Sequence, residues 1–149
     1  MTSTAARTRR ASVDLPLRVL AVAGLGISSY VHLHLAHLYK DIGSSLTMAD
    51  LFYAQGIIAA LVGLWLLLTG HRVAWWAAAL VGIASFAAVM TYRYVNVGAI
   101  GPVPNMYDAT WQPSPDKMLS AIAEAAVFVL WLLHELTRRG ARAPHAVGS

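Results

Sequence analysis

The sequence predicts an all-α membrane protein: a bundle of four transmembrane helices with both termini cytoplasmic and a long ordered outer loop between the third and fourth helices. Three observations predict it. First, 58% of the 149 residues are hydrophobic and only 12% are charged, where a soluble domain carries about 25% charged residues. The mean hydropathy of +0.57 agrees. Second, the apolar residues fall into four stretches, Leu17–Tyr39, Ala49–Thr69, Ala74–Tyr94 and Met118–Leu136. Each is long enough to cross a bilayer, which takes about 20 residues. Third, the basic residues sort by side. With the N-terminus in the cytoplasm, Arg7, Arg9, Arg10, Arg18, Arg72, Arg138, Arg139 and Arg142 lie inside, and only Lys40, Arg93 and Lys117 lie outside. Eight against three is the bias expected of cytoplasmic loops. It predicts an integral protein of the cell membrane, and the Ala- and Arg-rich composition is compatible with a bacterial plasma membrane.

Each element has its own signals. Residues 1–16 read as a cytoplasmic basic tail, with Met1–Val13 expected to be disordered and Asp14 expected to cap the first helix. Pro16 is tolerated in a first turn, where no backbone donor is needed. The first helix, about residues 17–39, is too long for the 7–15-residue core of a signal peptide and is expected to be retained. A short outer link follows, and Thr47 with Asp50 three residues on forms a capping arrangement for the second helix, about 49–69. Gly70-His71-Arg72-Val73 is a tight turn, so the third helix, about 74–94, is an antiparallel neighbour of the second. The loop 95–115 contains four prolines and two glycines. It exceeds the usual connector length, and its apolar members Val97, Ile100, Val103, Met106, Tyr107 and Trp111 predict a folded cap. Ser114 and Pro115 suit the cap and first position of the fourth helix, about 116–137, and residues 138–149 form a second cytoplasmic tail. The basic runs flank helix ends, which fits membrane lipid rather than nucleic acid as their partner.

The chemistry gathers in the outer half. His32, His34 and His37 lie within Tyr30–Tyr39. At about 100° per residue, Tyr30, His34, His37 and Asp41 share one stripe, while His32 faces the opposite way beside Ser28. Glu124 lies about 12 Å below the outer end of the fourth helix at about 1.5 Å per residue, with small residues Ser120, Ala121 and Ala125 around it. An intramembrane carboxylate is a functional candidate by default. Depth places His34, Gln55 and Glu124 in one layer, with Arg93 above and the loop residue Trp111 beside it. The expected pocket therefore comprises His34, His37, Glu124, Gln55, Tyr30, Arg93 and Trp111, as ligand-binding or proton-relay groups.

Several chemistries compete for this layer. His34, His37 and Glu124 are a candidate set for Zn²⁺ or Cu²⁺, whose ligands are nitrogen and oxygen. Haem b is a weaker candidate, because every membrane histidine of the outer half is on one helix and an axial partner would have to be Met90, Met118 or another subunit. The absence of cysteine removes disulfides, thiolate sites and covalent haem attachment. The nearly unbroken apolar inner half argues against a proton path through one copy. No recognised nucleophile arrangement favours an enzyme, although a histidine–glutamate pair could do acid–base work. The sequence thus favours a small membrane protein that binds a small molecule, lipid or ion in an outer-leaflet pocket, or an accessory subunit or homo-oligomer. For the subunit reading, Gly56, Ala60 and Gly63 on the second helix and Ala78, Gly82 and Ser85 on the third are the contact stripes.

Overall fold

A computed structural model describes residues 2–43, 45–112 and 115–140. Four helices dominate it: α1 (Thr2–Leu35), α2 (Met48–Thr69), α3 (Arg72–Tyr94) and α4 (Asp116–Gly140), with a 3₁₀ turn, Ala36–Tyr39, extending α1. All four are long and apolar enough to cross a membrane, α1 over Asp14–Tyr39. The helices form a closed ring in which α1 packs on α2, α2 on α3, α3 on α4 and α4 on α1, while α2 and α4 stand diagonal. Two ends result. The loop end carries the 3₁₀ turn, the start of α2 and residues 95–112; the turn end carries the α2–α3 link and the end of α4.

Local signals explain most boundaries. Thr47 caps α2 with both bonds of the capping box: its hydroxyl accepts from the Asp50 backbone N–H, and the Asp50 carboxylate accepts from the Thr47 N–H at 2.9 Å. Gly70 ends α2 in the left-handed region at φ 57°, where a side chain would clash. His71 then caps α3, its Nδ1 accepting from the Val73 N–H at 3.3 Å. Ser114 lies outside the described residues, as does 141–149 of the second tail.

The start of α1 differs from expectation. Its backbone is helical from Thr2, so Asp14 caps nothing and Pro16 is interior to the helix. The side chains of residues 2–13, where the disordered tail is expected, lie outside the described ones. Asp14 instead reaches α4: its Oδ1 lies 2.9 Å from Nδ1 of the buried His134. Beside it Arg72 donates twice to Glu135, at 3.3 and 3.1 Å, and the His134 ring stacks on Trp75 at 4.3 Å. The turn end is therefore laced by the Arg72–Glu135 ion pair, the Asp14–His134 contact and one ring stack.

The apolar core, Ala21, Leu25, Ala59, Leu66, Ala74, Trp75, Ala78 and Val127, fills the turn-end half. Small residues let the backbones approach there. A Cβ on Gly82 would stand 2.8 Å from the Glu124 carbonyl oxygen, and one on Gly24 would stand 3.2 Å from that of Ala123. Gly56 and Gly63 face Leu33 and Leu25 of α1, and Ala78 and Ser85 are buried. Only Ala60 of the expected contact stripes is exposed. Packing within the bundle consumes the rest, which leaves the subunit reading without its sequence feature.

Candidate functional site

The loop end is built differently. There α1, α2 and α3 border a half-open cavity of about 280 Å³, with Met106 of the loop and Lys117 and Ser120 of α4 on its rim. Apolar residues form most of the wall, among them Val31, Leu35, Leu51, Phe52 and Val89. The polar lining is sparse: His32, Tyr39, Gln55, Ser85, Tyr92, Arg93, Lys117 and Ser120. Apolar walls with a few polar groups that converge are the usual makeup of a small-molecule pocket.

The polar groups are fixed by neighbours. Gln55 of α2 donates to the Ser85 hydroxyl of α3. The His32 ring lies edge-on to Phe52 at 5.2 Å, and its Nδ1 is 2.9 Å from the Ser28 carbonyl oxygen. A carbonyl has no proton to give, so Nδ1 is the donor and, in the neutral ring, Nε2 is left as an acceptor. Behind His32 and Ser120 lies Glu124, 1% exposed. Its Oε1 accepts from Ser28 of α1 at 2.8 Å and from Ser120 at 3.0 Å, with His32 Nδ1 at 3.9 Å. Its Oε2 has no partner. The carboxyl thus backs the cavity wall through two residues that line it.

The expected set is therefore split. Gln55, Arg93 and Glu124 do gather at this end, and Trp111 lies over Arg93, the guanidinium carbon 5.5 Å from its ring centroid. Tyr30, His34 and His37 do not join them. They form a separate row on the exposed side of α1, Tyr30 stacked on His34 at 5.5 Å and His34 against His37 at 5.8 Å. The layer exists, but His32 occupies it in place of His34. The signal for this was the small-residue stripe on α1: Gly24 and Ser28 precede His32 at steps of four, and small residues face a neighbouring helix.

This geometry corrects the metal and haem expectations. His34 and His37 are on the opposite face from Glu124, so the three do not form a ligand set for Zn²⁺ or Cu²⁺. Among the described residues no group of three or more His, Asp or Glu is placed to hold a metal ion. Met90 and Met118, the candidate haem partners, line a different groove between α3 and α4 with Phe86, Trp111 and Ala121, and no histidine lines it.

The loop is held beside the cavity by specific ties. The Asp108 N–H donates to the Tyr92 carbonyl at 3.0 Å, Lys117 Nζ donates to Asp108 at 2.7 Å and to the Thr110 carbonyl at 2.9 Å, and Asn105 bonds Asn96 across the loop at 3.0 Å. Partial burial works against ionisation of Asp108. Hydrogen bonds from Lys117 and Thr110, with the lysine's charge, outweigh it and hold the carboxyl below its ordinary range. Of the apolar loop residues, Val103, Met106 and Trp111 turn inward, while Val97, Ile100 and Tyr107 are exposed. The chain matches no protein-family model, no curated protein and no solved structure, so the site is read from its own residues.

Proposed function

We propose that the chain is a small cell-membrane protein, with both termini cytoplasmic, that binds a small molecule or lipid in a pocket opening toward the outer leaflet. The observation that carries this reading is the half-open cavity: about 280 Å³ between three helices, with Gln55, Ser85 and His32 on its wall and Met106 of the loop at its rim. The excess of arginine at the turn end supports the orientation. The buried carboxyl of Glu124 supports a role for this layer, since intramembrane ionisable groups face functional interiors.

Native mass spectrometry of the protein released from mild detergent tests the reading. A retained mass is expected on the native chain and is lost from Ala88→Trp, which fills the cavity from a position on its lining. An unliganded native chain, or an equal load on both proteins, counts against the pocket.

A further inference from the structure

We infer that the cavity takes a monoanionic amphiphile: Arg93 meets its acidic head beneath the loop, and its apolar body lies between α1, α2 and α3. This rests on the pocket reading above and adds the ligand's charge and shape.

The sign of charge comes from the lining. It contains two cations, Arg93 and Lys117, and no aspartate or glutamate. Lys117 is already matched by Asp108 at 2.7 Å. Arg93 pairs with no carboxylate; its guanidinium carbon lies 5.0 Å and 5.5 Å from the ring centroids of Tyr94 and Trp111, and its Nε is buried without a hydrogen-bond partner. Aromatic faces partly stabilise a guanidinium but accept no hydrogen bond from the buried Nε. A carboxylate or phosphate oxygen supplies the missing acceptor, and the planar guanidinium fork suits both. A cationic ligand would meet Arg93 with no acid on the lining to offset it.

The shape comes from the walls. Below Arg93 the cavity is bounded by Val31, Leu35, Leu51, Phe52 and Val89, which offer dispersion contacts and no charge. Its volume falls just under the roughly 300–1,000 Å³ of drug-sized pockets, so one short chain or ring fits and a two-chained lipid body does not. The acidic head has two sources with the same chemistry: a free acid, or an anionic phospholipid that inserts one chain.

Photoaffinity labelling in nanodiscs of phosphatidylcholine, which has no net charge, separates these statements. Three probes carry the same diazirine on an apolar chain: dodecanoate, dodecyltrimethylammonium and phosphatidylglycerol. Peptide mass spectrometry reads adducts at Leu51, Phe52 and Val89. The dodecanoate probe is expected to label them, and Arg93→Gln to lower the yield about tenfold or more, the loss of one charge-assisted hydrogen bond. Arg72→Gln, at the opposite end, should leave the yield unchanged. Labelling by dodecanoate alone supports a free acid, and labelling also by phosphatidylglycerol supports a phospholipid chain. Equal labelling by the ammonium probe overturns the charge assignment and leaves the pocket standing. No lining adduct from any probe overturns the pocket itself. The comparison of probes on the native chain needs no variant, so a folding defect in Arg93→Gln does not blur it.

Discussion

Glu124 shows how much one side chain can constrain. Its Oε1 satisfies two hydroxyls from two helices, so removing it strands Ser28 and Ser120. Glu124→Leu is expected to cost about 1–3 kcal/mol, the penalty of unsatisfied buried donors, read as earlier thermal unfolding in detergent. Glu124→Gln keeps an acceptor at that place and should unfold close to the native protein. Equal losses for both would mean that packing volume, not the hydroxyl bonds, sets the effect. At the surface, Asp108 gives a pH dependence. Its folded-state carboxyl is held below the ordinary value, so its contribution is present above about pH 3.9, the unfolded value, and is lost as pH falls through the lower folded one. Water screens the pair, which limits its contribution to about 1 kcal/mol. Amide exchange at Asp108, whose N–H bonds Tyr92, is expected to gain openness, relative to Asp108→Asn, only in that acid range. The residue scale also shows where sequence reading stops. Helical periodicity separated His32 from His34, yet it could not say which of two opposite faces points inward. That choice is made by Gly24 and Ser28, whose small side chains admit α4, so the pair of histidines that looked more like a site is on the wrong side.

At the scale of elements, caps and breakers were the most legible. Thr47–Asp50 forms the predicted box, Gly70 terminates α2, and α2–α4 begin and end close to their expected positions. These features are local, with every partner within a few residues, and so they are written in the adjacent sequence. The one boundary that differs is the start of α1, where Pro16 is interior to the helix instead of in its first turn. Small residues decide how the elements meet. Gly82 faces a backbone carbonyl that cannot move aside, so Gly82→Ala must push α3 from α4 and is expected to cost about 1–3 kcal/mol. Gly26, with open space where a Cβ would stand, provides the control: Gly26→Ala should leave the melting temperature unchanged or slightly raise it. A harmless Gly82→Ala would mean that the α3–α4 spacing adjusts more freely than the contact implies.

For the whole molecule, four spans were legible because hydrocarbon solvation is a property of long runs and does not depend on which residues touch. The ring order of the helices followed in part from the tight α2–α3 turn; closure of α1 on α4 did not, since it depends on non-local packing. Orientation is testable with little interference, because the chain has no cysteine. Ala99→Cys in the loop is expected to react with a membrane-impermeant maleimide in intact cells, and Ala5→Cys only after lysis. The reverse pattern would turn the pocket toward the cytoplasm.

The polar side-chain ties of the turn end, Asp14–His134 and Arg72–Glu135, join α1 to α4 and α3 to α4, and neither includes α2. That helix is held by dispersion, by ring edges against Phe52 and by the single Gln55–Ser85 bond to α3. It packs most extensively on α1, while its seam with α3 is the thinnest of the four between neighbouring helices, so amide exchange is expected to report opening along that seam before the others.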